Sequence, residues 1–205
     1  MNGVEFIPFL LAALAIELTP GPNMFYIALL SAQNGRKAGY AVVVGVALGL
    51  SIVGLLALTG FSALVAQNAF LYEALRWAGV VYLLYLAVDT VLDSRRPLKT
   101  EPTEHLMREG FRRGLIANLL NPKAFLFYLS VLPSFIVGTT HYSAQFLTLM
   151  VIYVGIASAV HLAIVAASGN VSGLLRHPQY RQIVGIVFAI LLILVAIWVA
   201  INTAR

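Results

Sequence analysis

The chain has 205 residues, 60% of them hydrophobic and only 10% charged. Soluble domains carry about 25% charge, so a water-soluble core is excluded and one integral membrane domain is implied. The net charge of +5 comes from basic residues in loops between apolar segments, which membrane topology explains better than nucleic-acid binding; the lack of cysteine excludes disulfides, thiolate metal sites and thiol–disulfide relays.

Met1–Glu5 has no basic n-region, so the first apolar segment is expected to be retained rather than cleaved as a signal peptide. About 20 apolar residues cross a bilayer core. Such segments lie at roughly 5–32, 38–63, 69–92, 112–137, 144–168 and 180–202, which predicts six transmembrane helices. The first is long for a simple crossing and carries Thr19-Pro20-Gly21-Pro22-Asn23 inside it. Proline and glycine interrupt helices, and freed backbone is costly in lipid, so this helix is read as broken. The second contains the GxxxG step Gly45-Val46-Ala47-Leu48-Gly49, read as tight packing within the chain in preference to a dimer seam. The third ends near Asp89, which gates, pairs with Arg36 or Arg113, or is simply solvated at the interface, solvation being the better reading. The fourth holds a second interruption, Asn118-Leu119-Leu120-Asn121-Pro122-Lys123, and is also read as broken. The fifth carries His161 deep in the segment, with Ser158 one turn earlier. Trp198 in the sixth reads as packing or an interfacial anchor.

The loops set orientation. Arg36 and Lys37 follow span one; Arg95, Arg96, Lys99, Arg108, Arg112 and Arg113 follow span three; Arg176 and Arg181 join five and six. The positive-inside rule then places both termini outside the cytoplasm. The long polar linker, about 93–111, divides the chain into repeats of about 1–92 and 112–205 within a single domain of 1–205. Aligning Pro22 with Pro122 brings Gly45 near Gly155 and Gly79 near Gly185, a faint correspondence. Three spans per half, if the halves share a fold, make the repeats inverted. The expected architecture is all-α, with six transmembrane helices in two inverted three-helix repeats and helices 1 and 4 broken.

Paired interruptions point to a substrate site near the membrane midplane. Thr19 and Asn121 are placed to cap new half-helices beginning near Pro20 or Pro22 and at Pro122, whose positive ends would meet an anion such as an amino-acid carboxylate. Two proline kinks that only shape the bundle are the plainer alternative. Glu17 lies about 16 Å into span one, near the midplane. A carboxylate at that depth is costly to keep charged and exchanges protons readily; it holds a substrate ammonium, carries a coupling proton, or both in turn. Otherwise it satisfies backbone freed at the break. Lys123 either neutralises a carboxylate, Glu17 included, or snorkels to the interface. Asn23, Asn118 and Asn121 donate and accept, which suits a zwitterion or the broken backbone equally. His161 relays protons or bridges helices, the second reading being slightly favoured. Phe25 and Phe125 follow the two breaks, in position to close over substrate. No GxxxxGK[ST], HExxH or GxSxG motif occurs, and Ser158 with His161 lacks a third catalytic member. Neither an enzyme, a cofactor nor a resident metal is expected.

Glu17-Leu-Thr-Pro-Gly-Pro-Asn-Met24, then Asn34-Gly-Arg-Lys-Ala-Gly39 and a glycine-rich second span, resembles the opening of the LysE/RhtB amino-acid exporters. Gly110-Phe-Arg-Arg-Gly-Leu-Ile-Ala-Asn-Leu-Leu-Asn-Pro-Lys-Ala124 is similar to that family's second signature, and Arg76-Trp-Ala-Gly-Val-Val-Tyr-Leu-Leu-Tyr85 to its third span. The resemblance covers nearly the whole chain. It implies a multi-pass protein of the bacterial inner membrane that exports amino acids or related small zwitterions by proton-motive force. It also implies six helices in inverted repeats, with Pro20, Gly21, Pro22, Asn23, Asn118, Asn121 and Pro122 along the pathway. Glu17 precedes the core motif, so its role rests on the physical argument. Substrate, protons and lipid are the expected partners, with a homodimer through small-residue spans as a further expectation. The alternatives are an inorganic-cation exporter, disfavoured by the scarcity of buried carboxylates and the lack of cysteine, and a membrane scaffold without transport.

Overall fold

A computed structural model describes residues 6–18, 22–60, 67–95, 103–137, 141–168 and 177–202. Thr19, Pro20 and Gly21 lie outside the described residues, as do the side chains of Pro22, Phe25 and Pro122. The described chain is helical: α1 (Phe6–Leu18), α2 (Pro22–Asn34), α3 (Arg36–Leu58), α4 (Ala69–Arg95), α5 (Thr103–Leu119), α6 (Pro122–Leu126), α7 (Tyr142–Ser168) and α8 (Pro178–Asn202). A π-helical turn, Phe127–Val131, and a 3-10 turn, Leu132–Phe135, follow α6.

Four of these helices, α3, α4, α7 and α8, are long and apolar enough to cross a membrane. Glu104–Leu119 and Lys123–Phe135 pass the same test together, with a bend of 52° between them. The chain is therefore a multi-pass membrane protein. Its outward surface agrees: Val81 and Val88 on α4, and Trp198 and Ile201 on α8, are each more than half exposed. The linker is helical at both ends, since α4 runs to Arg95 and α5 begins at Thr103, earlier than the span boundary near 112.

Local chemistry sets the element ends. One residue, Gly35, separates α2 from α3; its φ of +86° is a left-handed conformation that favours glycine. Asn121 caps α6 as its spacing predicts: its side-chain oxygen accepts from the Lys123 amide at 3.0 Å, and Pro122 opens the helix.

Packing between α3 and α5 is close because glycines meet backbone from both sides. A Cβ on Gly45 would lie 2.2 Å from the Phe111 carbonyl oxygen, and one on Gly114 2.5 Å from that of Val42. The GxxxG step is thus a seam within the chain, as expected. A Cβ on Gly155, which the faint correspondence between the halves brings near Gly45, would meet nothing within 4 Å, so the two glycines do different work. Helices α4 and α8 run antiparallel, tied at both ends by arginines to carbonyls left unpaired near helix ends. Arg76 Nη1 donates to Ala200 O at 2.7 Å, and Arg181 Nε donates to Ser94 O at 3.0 Å.

Candidate functional site

Six helices, α1, α2, α3, α5, α6 and α7, converge on one small interior cavity. Helix α1 buries Phe9, Ala13 and Glu17, every fourth residue, so one stripe faces inward. On α7 the buried stripe includes Tyr153, Ala157 and His161, again at spacings of four. Glu17 meets that stripe. Tyr153 Oη donates to Glu17 Oε1 at 2.6 Å, and His161 Nε2 stands 3.7 Å from Glu17 Oε2. The side chains of His161 and Glu17 are only 3% and 8% exposed, so this pair sits in a medium where charge interactions are strong.

Tyr153 is itself held in place. The Phe127 ring stacks on it with centroids 3.7 Å apart, and Tyr128 meets it edge-on at 5.6 Å. Both rings come from the π-helical turn after the bend, where one extra residue per turn redirects side chains.

On the other wall, Asn23 Nδ2 donates to Asn118 Oδ1 at 2.8 Å, joining α2 to α5. Asn118 fits there because Gly49 gives way: a Cβ on Gly49 would come within 2.9 Å of Asn118 Cβ. This amide pair is half-satisfied. Among the described residues, Asn23 Oδ1, an acceptor, and Asn118 Nδ2, a donor, are buried without hydrogen-bond partners. Buried unpaired polar atoms are costly, and they mark places built to receive something else.

The cavity between these walls is lined by Glu17, Asn23, Asn118, Asn121, Lys123 and His161, together with Tyr153, Met24, Leu50 and Ala124. Its volume is about 20 Å³, room for about one water. Six of the residues singled out from the sequence therefore share one cavity. Lys123 lines it on the same side of the bend as Asn121, and its backbone amide is already used by that cap. Phe125 is buried in the hydrophobic core and does not line the cavity. Thr19, Pro20 and Gly21, with the side chains of Pro22, Phe25 and Pro122, lie outside the described residues.

Tyr153 was missed by sequence reasoning, although a signal exists. It sits eight residues before His161, two turns along the same face, and aromatic residues in an apolar helix read as packing by default. Asp89 is a correction. Rather than being solvated, it accepts from Arg113, which also donates to Glu109 of its own helix and, at 3.4 Å, to Tyr26 Oη. Tyr82 Oη donates to the Arg113 carbonyl at 3.3 Å. Arg113 thus links α2, α4 and α5 one to two turns from the Asn23–Asn118 contact. Pairing wins because the Asp89 side chain is only 17% exposed.

A multi-pass helical protein with an ionisable, half-satisfied polar cavity in its interior has the build of a membrane carrier. Residues 14–203 match the family described as LysE type translocator, and the chain belongs to that family. It is a transporter and not an enzyme. It is 32% identical over 163 residues to the leucine efflux protein of Salmonella typhimurium, covering 78% of this chain and 77% of that one. It is 33% identical over 139 residues to the leucine efflux protein of Klebsiella pneumoniae, covering 65% and 64%. An uncharacterized membrane protein of Pseudomonas aeruginosa is 31% identical over 172 residues, covering 80% and 79%. No solved structure matches the chain.

Proposed function

We propose that this translocator exports neutral amino acids across the bacterial inner membrane by proton antiport, through the cavity around Glu17. The observation that carries the reading is the convergence of Glu17, Asn23, Asn118, Asn121, Lys123 and His161, from both halves of the chain, on one buried cavity. The free acceptor of Asn23 and the free donor of Asn118 match the ammonium and carboxylate ends of a zwitterion. Glu17 is a second acceptor for the ammonium. With one carboxylate and one lysine in the lining, the site balances a substrate of no net charge better than a dication. The leucine efflux relatives agree with a neutral aliphatic side chain, for which Met24, Leu50 and Ala124 offer apolar wall.

The full architecture belongs to the same proposal: six transmembrane helices in two inverted repeats, with α1–α2 and α5–α6 as the broken spans. Support comes from cross-packing. Helix α3 follows the first break and packs on the helices of the second, while α7 follows the second and packs on the helices of the first. The 52° bend fits a broken fourth span. Basic residues beside Arg36, Arg95 and Arg181 favour a cytoplasmic position for those ends, with both termini on the far side. A cavity of this size holds no amino acid, so the walls must part to admit one and alternate between the two faces of the membrane.

Counterflow in proteoliposomes tests the reading. Vesicles loaded with unlabelled leucine are expected to take up labelled leucine saturably, and Glu17→Gln is expected to lose pH-driven flux. Folded wild-type protein that exchanges no neutral amino acid overturns it.

A further inference from the structure

Glu17 presents its two carboxylate oxygens unequally. Oε1 accepts from the Tyr153 hydroxyl at 2.6 Å. Oε2 faces His161 Nε2 at 3.7 Å, within ion-pair reach but beyond a hydrogen bond. A cation entering the cavity therefore finds one oxygen already hydrogen-bonded and the other faced by an imidazole. Histidine is the side chain whose charge ordinarily changes near neutral pH.

The surroundings of His161 leave Glu17 as its counter-charge. Lys123 of α6 lines the same cavity as a further basic group. Tyr153, on the same helix, is committed to Glu17, and Tyr128 of the π-helical turn packs edge-on against Tyr153. Helices α2 and α3 contain no acidic residue. Tyr26 of α2 accepts from Arg113, and Arg36 of α3 donates to Ala166 O near the end of α7. Among the described residues, Glu17 is the one carboxylate within ion-pair distance of His161.

Resting on the export reading above, we infer that protonated His161 and the substrate's ammonium group occupy Glu17 Oε2 in alternation, which makes His161 the proton-coupling residue. An ammonium entering the cavity takes the place of the imidazolium, because two cations beside Lys123 on a single free oxygen repel each other. The proton leaves the imidazole for water on the side from which the substrate came. When the substrate departs on the other side, the imidazole takes a proton from water there and pairs with Glu17 for the return. On the entry side an imidazole N–H bond breaks as an O–H bond forms on water, and on the exit side an O–H bond breaks as the N–H bond forms again. Each cycle moves one zwitterion one way and one proton the other. The sign suits export: acid weakens substrate binding, so the substrate is held on the less acidic face and released on the more acidic one.

The test is calorimetric titration of the purified full chain with L-leucine at several pH values from neutral to mildly acidic, in two buffers of different ionisation enthalpy at each. Wild type is expected to release up to one proton per leucine bound. Its half-saturating leucine concentration is expected to rise as pH falls, approaching about tenfold per pH unit. His161→Gln is expected to bind leucine with no proton release and no dependence on pH. His161→Lys, a permanent cation, is expected to bind it weakly at every pH. Proton release that persists in His161→Gln overturns the inference, because the proton then sits on Glu17 or elsewhere. Leucine binding by wild type without proton release overturns it too, and needs no variant to fold. Counterflow separates the two levels: exchange without proton release sinks only the coupling role, whereas loss of all neutral amino-acid exchange sinks the export reading and this inference with it.

Discussion

Tyr153 and Glu17 are 136 residues apart in sequence and 2.6 Å apart across the interior, where the phenol donates to the carboxylate. This bond ties α7, in the second half of the chain, to α1, in the first. It also fixes which carboxylate oxygen remains for a cation. A hydrogen bond to a charged group contributes about 1.5–3 kcal/mol. Tyr153→Phe keeps the ring stacked on Phe127 and removes only that bond. The half-saturating leucine concentration in counterflow is expected to rise about tenfold or more, and the thermal midpoint to fall by several degrees, since the same bond also holds α1 to α7. An unchanged half-saturation value would show that Glu17 does not depend on Tyr153.

The Asn23–Asn118 pair is expected to act as a unit. Either alanine substitution leaves the other amide buried with an additional unpaired atom, beyond those already unpaired. Asn23→Ala and Asn118→Ala should each weaken leucine exchange strongly, and the double variant should be little worse than the worse single one. A coupling energy of about 1 kcal/mol or more in that cycle is the expected result. Strict additivity would mean that the two amides serve separate purposes.

Two glycines that the faint correspondence between the halves brings near each other offer a contrast. A Cβ on Gly45 would sit 2.2 Å from the Phe111 carbonyl oxygen, and backbone cannot step aside as a flexible side chain can. Gly45→Ala is expected to destabilise the protein by about 1–3 kcal/mol. Gly155→Ala meets open space and is expected to stay within about 0.5 kcal/mol of wild type. Thermal unfolding in detergent distinguishes them. Equal effects would mean that α3 and α5 do not approach as closely as described.

Arg113 reaches Asp89, Glu109 and Tyr26, and so joins three helices. Its planar fork of donors serves these partners at once, which a lysine ammonium on a flexible stem cannot match. Arg113→Lys is expected to lose much of the stability lost in Arg113→Ala, about 2 kcal/mol or more for a mostly buried pair. Unfolding of both variants against wild type checks this. A lysine variant as stable as wild type would reduce the cluster to a simple charge pair.

Local properties of the sequence determined the membrane class, the long apolar helices, the helix start at Asn121-Pro122 and the family. Hydropathy, helix breakers and capping residues act over one or two turns, so Asn121 could be read as a cap and Glu17 as a deep carboxylate without any knowledge of packing. The GxxxG step was legible for the same reason, since small residues announce close approach. Partner choice was not legible. Tyr153 looked like one more aromatic residue in an apolar helix, and Asp89 looked solvated, because each role depends on the rotation of one helix against another. The orphaned atoms of Asn23 and Asn118 exist only once α2 and α5 meet, with Gly49 making the room. Only the tertiary structure decided those contacts, because buried polar groups take their partners from whatever side chains packing brings within about 3 Å.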